Sequence, residues 1–106
     1  MTNLNQEVVD FNEITITGKT CDEITYKAEG KCSSAFGSIA SRKETGAMNF
    51  IKFAAFGDVA DKINELKIIP EERIAIKGSL EFKRYKASDG SNKGTYRIVV
   101  SDIKRL

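Results

Sequence analysis

The chain has no histidine and no tryptophan, one proline and only two cysteines among its 106 residues. Without histidine the commonest general base is missing, and a zinc site lacks the ligands it needs. Cys21 and Cys32 do not form a CxxC pair, and a disulfide between them would be unusual in a cytosolic protein, so both read as ordinary thiols. No apolar run approaches the roughly 20 residues that a membrane helix requires. The opening MTNLNQEVVD has neither the basic end nor the apolar middle of a signal peptide, which points to a cytoplasmic protein. The acidic pairs Asp22-Glu23 and Glu71-Glu72 fall at turns, where solvated carboxylates are ordinary. No catalytic residue, metal site, cofactor or membrane partner is expected.

What is present describes a single globular domain: 41% hydrophobic and 30% charged residues. The net charge of +2 conceals an uneven distribution. Residues 1–72 hold 8 Lys/Arg and 12 Asp/Glu, whereas residues 73–106 hold 9 and 3. A basic block of this kind suits a polyanion partner, although lysine-rich strand faces also protect sheet edges.

The stretch MNFIKFAAFGDVADKINEL, residues 48–66, carries the most information. As a strand it alternates sides, giving Ile51, Phe53 and Ala55 to one face and Phe50, Lys52, Ala54 and Phe56 to the other. The first set suits a core. The second puts a cation between two rings, a surface on which bases can stack and phosphates can bind. A strand buried on both sides, with Lys52 reaching outward, is the other reading. Past Gly57, residues Val59, Ile63 and Leu66 follow helical spacing, with Asp58 as the expected cap and Pro70 as the stop.

Around this stretch, residues 1–11 read as a lead-in or an extension of the first strand. Asn12 to Thr20 alternates, with Ile14 and Ile16 inward. Residues 24–28 form a short second run, followed by a turn at Glu29-Gly30-Lys31. Ser33 to Arg42 is a strand of small residues, where Phe36 and Ile39, three apart, suggest a bulge; Phe36 is ambiguous, read as core ahead of a DNA contact because large apolar side chains favour the inside. RIAIKGSLEFKRY from Arg73 alternates most clearly, with Ile74, Ile76, Leu80 and Phe82 inward. KASDGSNK, residues 86–93, is a hairpin loop, and TYRIVV from Thr95 is the last strand, finished by Ile103 and Leu106. Tyr26 and Tyr96 are left as core or interface. Gly18 and Gly78 interrupt strong strands, as glycines do where a barrel bends sharply or two backbones pass closely. An all-β chain with one short helix, five principal strands and the helix between strands 3 and 4 is expected to close as an OB-fold barrel.

NEITITGKT, SIASRK, NFIKFAAFGDVADKI, IAIKGSLEFKRYKASDG and TYRIVVSDIKRL, in this order, resemble the bacterial and phage single-stranded DNA-binding proteins. The resemblance spans residues 12–106 as one OB-fold domain. It implies a homotetramer or dimer that coats exposed single strands without sequence preference in replication, recombination and repair, alongside replication or recombination proteins. Carried over by position, the family's stacking aromatics fall at Phe50, Phe56 and Tyr85. The backbone track falls to Lys52, Lys77, Lys83, Arg84, Lys86 and Arg97, with Arg42, Lys43 and Lys93 from loops. Tryptophan, frequent at two of the stacking positions, is absent, so weaker binding per base is expected. The short basic loop after Arg42 lacks the family's further stacking ring, and no acidic tail follows Leu106. Two other roles on the same fold stay open: a primosomal or replication accessory protein acting mainly through protein partners, and a protein-assembly module.

Overall fold

In the computed structural model, residues 9–28 and 30–106 are described. Six strands and one helix succeed one another: β1 (Ile14–Thr20), β2 (Thr25–Lys27), β3 (Ser34–Arg42), β4 (Met48–Phe56), α1 (Asp58–Leu66), β5 (Arg73–Lys86) and β6 (Asn92–Arg105). The sheet runs β1-β5-β6-β4-β3-β2, and an added pairing of β1 with β3 closes five of the strands into a barrel. β1 and β2 share one side of β3: Lys19 and Thr20 pair with Ala40 and Ile39, and Thr25 to Lys27 pair with Phe36 to Ser34. The short second run is thus a satellite of β3, and the helix follows the third of the five barrel strands. This is the OB-fold expected from the sequence.

Closure depends on two glycines. A Cβ at Gly18 would stand 2.3 Å from the carbonyl oxygen of Ala40, and one at Gly78 would stand 2.0 Å from that of Val99. Only a residue without a side chain lets β1 approach β3, and β5 approach β6, so closely. The one irregularity between β5 and β6 lies at Lys77/Gly78. β3 has none: it pairs with β4 in unbroken register from Ser34↔Phe56 to Arg42↔Met48. The bulge expected there is absent because Phe36 faces outward and Ile39 inward, as period two requires.

Phe53, Ile39, Ile63, Ile74, Ile76, Ile98 and Ile103 fill the barrel, with Ile14 and Ile16 packed at its margin. α1 is held on by Asp61, whose carboxylate accepts hydrogen bonds from Ser33 Oγ (2.5 Å) and Tyr26 Oη (2.8 Å). The Ser33 hydroxyl first, and then the Tyr26 hydroxyl, keep this carboxyl below its usual range. The helix cap differs from the expectation. Gly57 occupies the N-cap with no side-chain bond, and Asp58 is the first helical residue, where its charge still favours the helix dipole. The helix stops at Leu66, with Lys67 left-handed, before Pro70 is reached. Thr20, the buried polar residue of the core, then organises the following turn. Its hydroxyl donates to Ile69 O (2.6 Å) and accepts from Glu72 N (3.1 Å).

Beyond Gly78 the long hairpin leaves the barrel. β5 and β6 remain paired to Lys86↔Asn92, so the connecting loop is shorter than residues 86–93. Residues 80–86 and 92–96 are exposed on both faces. Leu80 and Phe82, expected inside, are therefore surface residues: their alternation is correct, but no second layer covers this part of the hairpin. The radius of gyration, 16.2 Å, exceeds the about 13 Å of a compact domain of this length, as a projecting arm requires. Leu106, expected to finish the last strand, falls one residue past the end of β6 and is exposed, whereas Ile103 lies within the strand and is buried. No helix among the described residues is long and apolar enough to cross a membrane. Glu29 of the expected turn, and most of the lead-in, lie outside the described residues.

Candidate nucleic-acid interface

The alternation of β4 sorts its side chains as the sequence implied. Phe53 and Ala55 are buried, whereas Phe50 is 72% and Phe56 41% exposed, with exposed Lys52 between them. Ala54 shares their parity but is covered, opposite Phe36 on β3 and Val99 on β6. The strand is not buried on both sides.

Phe36 belongs to this outer surface and not to the core. It is 37% exposed, and its ring meets that of Phe56 edge-to-face, with centroids 6.1 Å apart. The Arg97 guanidinium lies 5.6 Å from the Phe56 centroid, a cation–π distance. Arg97 is anchored by Glu81 Oε1, 2.8 Å from Nη2 and 2.9 Å from Nε. Phe36, Lys52, Lys83, Thr95 and Arg97 line one recess of about 420 Å3, with Asp22 and Glu23 also on its lining. The sequence signal for Phe36 was available: strict alternation from buried Ala35 puts it outside.

The arm divides the remaining candidates by parity. Glu81↔Arg97, Lys83↔Thr95 and Tyr85↔Lys93 are cross-strand pairs on one face, because directly opposed residues share a side. Arg97 joins that face to Phe56, so Lys83, Lys93 and Tyr85, 49% exposed, continue the surface of β4 outward. Arg84 and Lys86 lie on the other face of the arm, with Phe82 and Tyr96, whose rings pack 5.0 Å apart. Phe50 opens onto a neighbouring recess of about 380 Å3, shared with Leu80, Thr95 and Tyr96. Tyr96 is thus a surface residue, while Tyr26 is half-buried against the helix.

Arg42 and Lys43 stand exposed at the β3–β4 turn, beyond Phe50. Lys77 is set apart from the others. It precedes the Gly78 irregularity, its ammonium pairs with Glu13 Oε1 at 2.8 Å, and Asp102 is its cross-strand partner. That carboxylate neighbourhood raises its pKa, Glu13 foremost, and keeps its charge locally matched. No cluster of groups able to hold a metal ion occurs among the described residues.

A closed barrel bearing exposed rings and cations on one outer face, continued by an arm, is an OB-fold by architecture. Solved structures share this fold. A crystal structure of the mitochondrial single-stranded DNA binding protein of S. cerevisiae superposes with a TM-score of 0.73 at 24% identity, covering 92% of this chain and 97% of that one. The Plasmodium falciparum SSB, in complex with ssDNA, gives 0.83 at 15% identity over 95% of this chain and 99% of that one. At these identities the likeness is one of fold. No protein-family model matches the chain, and no curated protein sequence does.

Proposed function

We propose that the chain is a sequence-independent single-stranded DNA-binding protein that coats exposed strands in replication, recombination and repair, working as a homotetramer or dimer. One observation carries the reading: the partly exposed Phe56 ring meets the Phe36 ring and the Arg97 guanidinium, and Phe36 and Arg97 line one recess with Lys52 and Lys83. Rings accept any base face, and lysines accept any phosphate, so this surface binds without reading sequence. Duplex DNA hides its base faces and meets only the charges. Phe50, Phe56 and Tyr85 would stack bases. Lys52, Lys83, Lys93 and Arg97 would follow the backbone beside them, with Arg42, Lys43, Arg84 and Lys86 reached by a strand that turns around the arm or the hairpin end. The fold shared with a protein solved on ssDNA supports this reading.

Titration with oligo-dT of graded lengths, at two salt concentrations and against duplex competitor, tests it. Tight binding that weakens steeply with salt, with duplex unable to compete, is the expected result. Equal or tighter affinity for duplex contradicts it.

Leu80, Phe82 and Tyr96, exposed together on the arm's other face, favour a second reading as an OB-fold module for protein assembly. Under that reading Phe82→Ala abolishes oligomerisation while any DNA affinity is unchanged.

A further inference from the structure

Three register pairs place four residues in one line across the barrel: Ala40 is opposite Phe50, Lys19 is opposite Ala40, and Arg73 is opposite Lys19. Directly opposed residues point to the same side, so Phe50, Ala40, Lys19 and Arg73 form a row on the outer surface. At about 4.8 Å per strand it covers roughly 14 Å. The row leads from β4 over β3 and β1 to β5, away from the arm. Phe50, Lys19 and Arg73 are exposed, and Ala40 between them is small enough to leave the way flat. Lys19, Arg73 and Arg42 line a depression of about 530 Å3 with Gly18, Ala40 and Met48, and among the described residues no carboxylate is on that lining. Glu72, next to Arg73 in sequence, is occupied by Arg105.

Three cations without a carboxylate among them contrast with Lys77, which faces Glu13, and with Arg97, which is held by Glu81. Edge protection does not explain Lys19. It sits where β1 is paired on both sides, with β5 and with β3, so there is no free edge to guard.

We propose that Lys19, Arg73 and Arg42 form a second phosphate-binding patch that takes the sugar–phosphate backbone of a single strand after it has passed Phe50. This inference rests on the function proposed above and extends its site. The aromatic face holds bases; the patch holds only phosphates and carries the strand around the end of the barrel. Short oligonucleotides that fill the aromatic face do not reach it, and longer ones do.

The test compares the full chain with the double variant Lys19→Gln/Arg73→Gln, using oligo-dT of about 5 and about 16 nucleotides, within the span of known OB-fold site sizes. The long oligonucleotide should bind the variant at least about fivefold more weakly at low salt, and the slope of log affinity against log salt should shrink by about 1.4, two phosphate contacts at about 0.7 each. The short one should bind both proteins alike, and the charge-keeping Arg73→Lys variant should keep the wild-type slope. Equal loss for both lengths, or no loss for either, overturns the patch while leaving the proposed function in place. Failure of the wild type to bind either oligonucleotide rejects the proposed function itself. A thermal melt of each variant separates lost contacts from lost folding.

Discussion

The two halves of the β5–β6 hairpin have the same alternation and opposite fates. Below Gly78, Ile74 and Ile76 point into a filled barrel, Ile76 beside its cross-strand partner Ile103, and are lost from solvent. Above it, Leu80 and Phe82 keep the same period and stand on the surface. A strand's pattern sets which side a residue points to; what lies on that side decides burial. The barrel half is therefore built for stability. The arm holds its shape through cross-strand pairs such as Phe82–Tyr96 and Glu81–Arg97, and leaves Tyr85, Lys83 and Lys93 exposed.

Substitutions of similar size should separate the two halves most sharply. Phe53→Ala, in the filled core, should cost about 3–5 kcal/mol; Phe82→Ala, half-exposed on the arm, should cost under about 1 kcal/mol. Urea denaturation measures both, and equal losses would erase the distinction. Gly78→Ala, at the boundary, forces a methyl group against the Val99 carbonyl and should cost about 3 kcal/mol, at the upper end of overpacking effects. Adding the same methyl at Gly90, in the arm's tip with no atom within 4 Å, meets no such clash and costs only the strain of its positive φ, about 1 kcal/mol.

Acid should act on the barrel before neutral pH changes anything. Asp61 is lowered chiefly by Ser33, Asp102 by Lys62 and Glu72 by Arg105. Depressed folded-state values mean that these groups stabilise the protein above their ordinary unfolded values, near pH 4, and that this stability is lost as pH falls through the lower folded values. Melting temperature should be flat from about pH 8 to 5 and fall below about 4, less steeply in Asp61→Asn. The smallest effect concerns the arm. Glu81→Gln frees Arg97 from its carboxylate and should tighten oligo-dT binding by about twofold at low salt, vanishing at high salt.

Most of the barrel was legible because alternation and helix spacing are local signals. Ile14, Ile16, Phe53, Ile63, Ile74 and Ile76 were placed correctly by period alone, and Gly18 and Gly78 marked the close approaches. Apart from Phe36, what failed was non-local. Nothing in SLEFKRY shows that the barrel ends at Gly78. For Phe36, size favours the core over a DNA contact, whereas its alternation with Ala35 and Ile39 puts it outside. Lys77 resembled the other lysines of its strand until β1 brought Glu13 to it. The Arg73–Lys19–Ala40–Phe50 row exists only once the strand register is known.

The central claim is that exposed rings on a folded barrel grip unpaired bases. Its most direct test is oligo-dT affinity in the double variant Phe50→Ala/Tyr85→Ala, read beside thermal stability. Each lost stack is worth about 1–3 kcal/mol, so losing two should lower affinity by at least about thirtyfold with the melting temperature nearly unchanged. Wild-type affinity in a folded double variant would contradict the account.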